Sequence, residues 1–191
     1  VKETEIPFTQ FLPTHVNRNE ALFQSCMEFA KEGGVIDFTG NEEIDYWESI
    51  CDEVRVCKGI RRLLEAGVSK DNFTVSSDGQ GSLPVFNSRG EFQGIGVGKA
   101  SCLLKEVKEC VTREDIPLEI ALRAVTSNPA RILKLKKKGH ILPDYHGDIC
   151  LLREKDFSLH TVIAKGQVMV REGEAVVKGT FEKQGKKTGG K

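Results

Sequence analysis

Phe73-Thr74-Val75-Ser76-Ser77-Asp78-Gly79-Gln80-Gly81-Ser82 decides how the rest of this chain is read. Its β-branched and aromatic start, Phe73 to Val75, predicts a strand, which breaks off into small polar residues, one carboxylate and two glycines. In barrels built from repeated strand and helix units, chemistry gathers at the carboxyl ends of the strands. An Asp at such a tip is therefore a candidate metal ligand or base. Taken alone, an Asp before Gly reads as a turn residue. A second segment with the same habit shifts the balance: Phe8, Phe11 and Leu12 read as a strand after Pro7, and the run ends in Pro13-Thr14-His15-Val16-Asn17-Arg18.

Between these two tips the chain alternates. Asn17 or Asn19 can cap a helix whose Leu22, Cys26, Phe29 and Ala30 share one face, and Gly33-Gly34 stops it. Val35 to Thr39 predicts a buried strand. An acidic stretch from Asn41 to Asp45, with Tyr46 and Trp47, leads into a helix carrying Val56, Ile60, Leu63 and Leu64, ended by Gly67. Strand, helix, strand, helix, strand calls for a parallel sheet with crossover helices, an α/β architecture. Beyond Asp78 a glycine-rich loop is expected from Gly79 to Gly98, long enough to act as a lid or carry substrate contacts. A helix follows over about 99–112, with Ala100, Leu103, Leu104, Val107 and Val111 as its packing stripe. Pro117 suits the first turn of the next helix, and Ser127-Asn128-Pro129 reads as a cap followed by Pro at the first position of another.

From Ile141 the character changes. Ile149 to Leu152, Thr161 to Ala164, Gln167 to Val170 and Ala175 to Val177 predict an antiparallel meander. The expected organisation is a barrel portion over 1–140, strands of a small β domain over 141–182, and a disordered tail over 183–191.

Composition narrows the function. Lys plus Arg equals Asp plus Glu at 28 each, which argues against nucleic acid or an anionic membrane as the main partner and favours a small or zwitterionic substrate. There is neither a membrane-length apolar run nor a signal-peptide pattern at Val1-Lys2-Glu3-Thr4-Glu5, so a cytoplasmic location is expected. The six cysteines show no Cys-x-x-Cys spacing and mostly fall on apolar positions, which predicts reduced core residues. The chain opens on Val1 without an initiator Met and is expected to be a piece of something longer.

The glycines at 94, 96 and 98 open no βαβ unit, which excludes a dinucleotide fingerprint. The sequence contains no His-x-His, His-Glu-x-x-His or Ser nucleophile elbow. His140, His146 and His160 read as surface residues, and Lys134 to Lys138 as a solvated helix end. That leaves His15 and Asp78, 63 positions apart, each at a predicted strand tip with one strand between them. In a closed parallel barrel such tips converge on one mouth, where a His and an Asp can share a metal. A capping His and a turn Asp would look the same.

Three segments carry a resemblance: Phe11-Leu12-Pro13-Thr14-His15-Val16-Asn17-Arg18-Asn19, Gly33-Gly34-Val35-Ile36-Asp37-Phe38-Thr39 and Ser76-Ser77-Asp78-Gly79-Gln80-Gly81-Ser82. With Thr126-Ser127-Asn128-Pro129-Ala130, Lys138-Gly139-His140-Ile141 and Val177-Lys178-Gly179-Thr180-Phe181-Glu182, the chain resembles the isoaspartyl (β-aspartyl) dipeptidases of the amidohydrolase superfamily from about Pro7 to Glu182. The resemblance implies a binuclear zinc hydrolase on a (β/α)8 TIM-like barrel with a small β domain. This chain would be the C-terminal part, about strands six to eight, followed by strands of the β domain. It implies that His15 is a metal ligand and that Asp78 is both metal ligand and general base, for attack of a metal-bridging hydroxide on the amide bond. Arg18 and Ser82 would hold the substrate's carboxylates and α-amino end. The roles are chemically sound: paired divalent cations acidify a bridging water, a carboxylate relays its proton, and the Arg fork grips a carboxylate with two parallel bonds.

The family's His-x-His, bridging carboxylated Lys and strand-five His are absent, the acidic stretch from Asn41 to Asp52 is longer, and Asp144-Tyr145-His146-Gly147-Asp148 replaces the usual Gly-x-x-Ala-Asp turn. Two metal-binding side chains cannot carry two zinc ions, and a half barrel leaves a parallel edge open. The segment is therefore expected to be inactive alone, with the N-terminal half of the same enzyme as its partner and a dipeptide as substrate; a homo-oligomer is also expected. Two alternatives stand beside this: a non-catalytic fragment of the fold acting through a partner, and another amidohydrolase acting on cyclic or N-acyl amides. Arg18 with Ser82 argues against the last.

Overall fold

All four residues of Ile36–Thr39 (β1) are buried, and strand alternation sends them to two faces. Ile36 and Phe38 lie on one face, Asp37 and Thr39 on the other. Phe73–Ser76 (β2) repeats the arrangement and pairs with β1 in parallel, Asp37 opposite Thr74 and Thr39 opposite Ser76. The apolar halves, Ile36, Phe38, Phe73 and Val75, enter one core with Phe23, Ile60 and Leu63. The polar halves bond to each other: Thr74 Oγ1 donates to Asp37 Oδ1 and Ser76 Oγ to Asp37 Oδ2, each at 2.6 Å. Burial pushes the Asp37 carboxyl above its ordinary range, while these two hydroxyls and the charge of His15 act against the shift.

The computed structural model describes residue 3 and residues 5–87 and 89–180; the tail expected over 183–191 lies outside them. The chain divides into two compact units, Val1–Gly139 and His140–Lys191. In the first, Glu20–Lys31 (α1) starts on Asn19, whose Oδ1 accepts from Leu22 N at 2.9 Å. Its core stripe is Phe23, Cys26 and Ala30, whereas Leu22 is 39% exposed. The stripe expected on Leu22 is thus displaced by one residue, because the larger Phe23 ring packs on Phe38 with centroids 5.9 Å apart. The acidic stretch contains a helix of its own, Ile44–Cys51 (α2). Val56–Glu65 (α3) follows and buries Val56, Cys57, Ile60 and Leu63, with Gly59 seated on Phe38.

Four further expectations are corrected. Phe8–Gln10 is a 3-10 turn and residues 11–15 lie outside any regular ladder, so the strand read over Phe8 to Leu12 does not form. Pro13 has no N–H to give a ladder. The loop expected over 79–98 is largely a hairpin of Ser82–Phe86 (β3) and Phe92–Val97 (β4), and Phe86 stacks on Tyr46 and meets Trp47 edge-on. Cys102–Glu114 (α4) buries Cys102, Glu106, Val107, Glu109 and Cys110, so its inner face carries two glutamates that an apolar stripe cannot reveal. Both have partners: Asn41 N donates to Glu106 Oε1 at 3.0 Å, and buried Arg55 donates to Glu109 Oε2 at 3.4 Å. Leu118–Val125 (α5) starts after Pro117, and Ser127–Ile132 (α6) begins at Ser127, which places Pro129 third rather than first. Asn128 does not cap that helix. Its Nδ2 donates to Lys70 O and Phe73 O, both at 2.8 Å, and ties α6 to the entry of β2.

In the second unit, Ile149–Leu152 (β5), Leu159–Ala164 (β6), Gln167–Arg171 (β7) and Glu174–Ala175 (β8) form an antiparallel meander in sequence order. All six cysteines are free; Cys51 and Cys150 are exposed and the other four buried. Among the described residues no helix is long and apolar enough to cross a membrane.

Candidate active site

His15 reaches its position through a distorted edge pairing. Pro13 O accepts from Asp37 N at 2.9 Å and Val16 N donates to Asp37 O at 3.3 Å, so the segment before α1 runs parallel beside β1. The span between those two bonds is longer than a regular parallel ladder allows, and His15 takes up the excess with a left-handed backbone, φ 55°. The imidazole is thereby set over the carboxyl end of β1. Its Nδ1 lies 2.8 Å from Thr39 Oγ1 and 3.4 Å from Arg18 Nη2.

Those two neighbours make different demands. A guanidinium only donates, so the Arg18 contact needs a lone pair on Nδ1 and puts the ring proton on Nε2. The Thr39 hydroxyl can instead accept from Nδ1–H, which leaves the Nε2 lone pair for a cation. Thr39 is itself held firmly: fully buried Asn17 donates from Nδ2 to Thr39 O at 3.0 Å and accepts from Thr39 N at 2.9 Å. The same Asn17 Nδ2 approaches Glu53 Oε1 at 3.4 Å.

The second tip adjoins the first through the sheet. Thr39 pairs with Ser76, and Gly40 N donates to Ser76 O at 2.8 Å. Asp78 comes two residues after Ser76, exposed and at φ 46°. Its backbone closes a tight turn, with Gly81 N donating to Asp78 O at 2.8 Å. A Cβ on Gly81 would sit 2.9 Å from Asp78 Oδ1, and one on Gly98 would sit 2.7 Å from Asp78 O, so the glycines there permit the close approach. Ser82, exposed, is the next residue after that turn and opens β3.

The structure thus brings His15, Arg18 and Thr39 into contact and puts Ser82 directly after the turn that Asp78 opens. Among the described residues no hydrogen bond joins the two groups. A cleft of about 250 Å³ flanks the tips, lined by Gly40, Asn41, Trp47, Ser77, Leu83 and Lys99 among others; it does not contain the four predicted site residues. The donor chemistry, one imidazole oriented by a hydroxyl and one exposed carboxylate, suits a borderline cation such as zinc. Among the described residues no three His, Cys, Asp or Glu side chains converge as a metal site. Sequence reasoning missed Thr39, Asn17 and Glu53. The alternation in Ile36-Asp37-Phe38-Thr39 signals Thr39, but nothing local distinguishes Glu53.

Residues 19–169 match the family described as Amidohydrolase family. The chain belongs to the amidohydrolase family. A TIM-barrel-type fold accounts for its mixture of helices and parallel strands. Asp78 and Ser82 fall inside the matched span; His15 and Arg18 precede it. This amidohydrolase is similar to the beta-aspartyl dipeptidase from the thermophilic keratin-degrading Fervidobacterium islandicum AW-1 in complex with beta-Asp-Leu dipeptide, at 37% identity and TM-score 0.77, over 95% of this chain and 44% of that one. Another crystal structure of beta-aspartyl dipeptidase from that organism matches at 32% identity and TM-score 0.75, over 95% and 43%. N-acetylglucosamine-6-phosphate deacetylase from Pasteurella multocida shares the fold at 15% identity and TM-score 0.53, over 84% and 50%. The chain therefore spans less than half the length of the dipeptidases it matches.

Proposed function

We propose that this amidohydrolase chain supplies part of the site of a zinc-dependent β-aspartyl dipeptidase, as the C-terminal part of its barrel followed by strands of a small β domain. The observation that carries the reading is 37% identity across 95% of the chain to a beta-aspartyl dipeptidase crystallised with beta-Asp-Leu. The adjoining tips support it. His15 offers Nε2 to the metal while Nδ1–H donates to Thr39 Oγ1, and the Asp78 carboxylate is the second ligand from this chain. When bound, zinc supplies Lewis-acid polarisation of the scissile carbonyl and acidifies the attacking water. Asp78 takes the proton of that water and passes it to the nitrogen of the departing amino acid, so the amide bond breaks without expelling an amide anion. Arg18 grips a substrate carboxylate, and Ser82 binds the same ligand from the hairpin side. The remaining metal ligands come from the part of the barrel that these residues do not include.

The test is hydrolysis of β-Asp-Leu against α-Asp-Leu by the complete zinc-loaded protein carrying these residues. Cleavage confined to the β-linked dipeptide is expected. Equal cleavage of both, or cleavage of neither, overturns the reading.

A further inference from the structure

Glu53 Oε2 is a buried side-chain oxygen without a hydrogen-bond partner among the described residues. The residue is 3% exposed and lies in the connection between α2 and α3. Its other oxygen has, among the described residues, only a long bond, 3.4 Å from Asn17 Nδ2. The connection is pinned in place, since Val54 N donates to Asn17 O at 2.9 Å. Burial raises the Glu53 carboxyl, while the Arg18 charge favours its ionised form, as does the Asn41 amide, which stays outside hydrogen-bond geometry. A buried carboxylate oxygen left unpaired is costly unless a donor reaches it. Arg18, one residue beyond Asn17, has the matching surplus: five N–H donors in one plane, with a single long side-chain contact among the described residues, to His15 Nδ1.

We propose that Glu53 is a positioning residue for Arg18: its free carboxylate oxygen takes one edge of the guanidinium, so that the opposite edge faces the carboxylate of the dipeptide. The inference rests on the dipeptidase reading. It also answers the conflict at His15. When Nδ1–H donates to Thr39, Nη2 of Arg18 loses its acceptor, and Glu53 is the unsatisfied acceptor whose charge Arg18 already offsets. One contact then satisfies a stranded donor and a stranded acceptor, and it restricts a long side chain before substrate arrives. That restriction lowers the cost of binding rather than the barrier to reaction.

The test is a double-mutant cycle of Glu53→Gln and Arg18→Ala in the complete zinc-loaded protein, with kcat, KM for β-Asp-Leu, zinc content and melting temperature measured for each. Glu53→Gln should raise KM about tenfold with a much smaller fall in kcat and unchanged zinc content, and should add nothing in the Arg18→Ala background. An unchanged KM, or effects that simply add, overturns the proposal. Zinc loss with a fallen kcat also overturns it, because Glu53 would then act through Asn17 and Thr39 on His15. Labelling with phenylglyoxal separates this from the functional reading, because it needs no turnover. If the wild type cleaves no β-aspartyl dipeptide, the dipeptidase assignment fails, and labelling alone judges the contact. Arg18 released by Glu53→Gln should react at least about threefold faster, and equal rates refute the contact.

Discussion

Glu106→Gln should abolish a pH dependence of stability that the wild-type fold carries. Glu106 is 3% exposed on α4, beneath the loop after β1. Burial raises its carboxyl from 4.5 to about 7, with Glu109 adding to the shift and the Asn41 backbone N–H opposing it. A carboxyl that holds its proton more tightly when folded makes stability fall as pH rises, because between the two values the folded state keeps a proton that the unfolded chain has released. The loss therefore accumulates from about pH 4.5 to about pH 7 and levels off above that. The gap between 4.5 and about 7, at about 1.4 kcal/mol per unit, amounts to about 3 kcal/mol. Gln keeps an oxygen that can accept from Asn41 N, now 3.0 Å from Glu106 Oε1, and never ionises. Denaturant unfolding at steps from pH 5 to pH 8 gives the difference between wild type and variant directly. That difference should move in favour of Gln by about 2 to 3 kcal/mol across the range. A difference constant to within about 0.5 kcal/mol would refute the reasoning and make Glu106 an ordinary ionised carboxylate held by its neighbours.

Asp78→Asn in the complete protein should lower kcat by about 10²- to 10⁴-fold, since the amide cannot accept the proton of the attacking water. Normal kcat with a lowered melting temperature would leave Asp78 only the closing residue of the turn with Gly81. Gly59→Ala should destabilise the fold by about 1 to 3 kcal/mol, against the gain of about 1 kcal/mol expected at an exposed helix position. The new Cβ would stand 2.5 Å from Cε1 of the fully buried Phe38 ring, and a melting temperature that holds or rises would show that the ring can yield.

What the sequence revealed was local. Asn19 caps α1 because its side chain needs only the N–H of Leu22, and β2 stops at Ser76 because small polar residues and glycines follow it. The meander was legible from turns that depend on neighbouring residues. Where partners are distant, the pattern was silent or misleading. Glu106 and Glu109 look like solvated positions of α4, yet they face Asn41 and Arg55, which lie 65 and 54 residues away. The β3 and β4 strands were hidden by glycines, among them Gly94 at φ 144°. In the candidate site His15 and Asp78 were visible where apolar runs break into polar residues, whereas Arg18 and Ser82 were named only through the family resemblance. Asn17 and Glu53 were not, because what marks them is burial and a contact 36 residues apart.

The core and the candidate site are joined by one register. Phe38 is in the core because it points toward Phe23 and Gly59, and the next residue, Thr39, therefore points the other way, beneath His15. A slip of one residue between β1 and β2 would exchange those faces, leaving Phe38 under the imidazole and Thr39 against the Phe23 ring. Such a slip is costly twice: it strands Asp37 away from the hydroxyls of Thr74 and Ser76, and it removes a fully buried ring from the core. Fold stability thus fixes the direction of the His15 ring through Thr39, without any contact made for that purpose alone. The hydroxyl's own contribution to stability is small, about 1 kcal/mol, so its consequence lies in which nitrogen of His15 faces the strand tips.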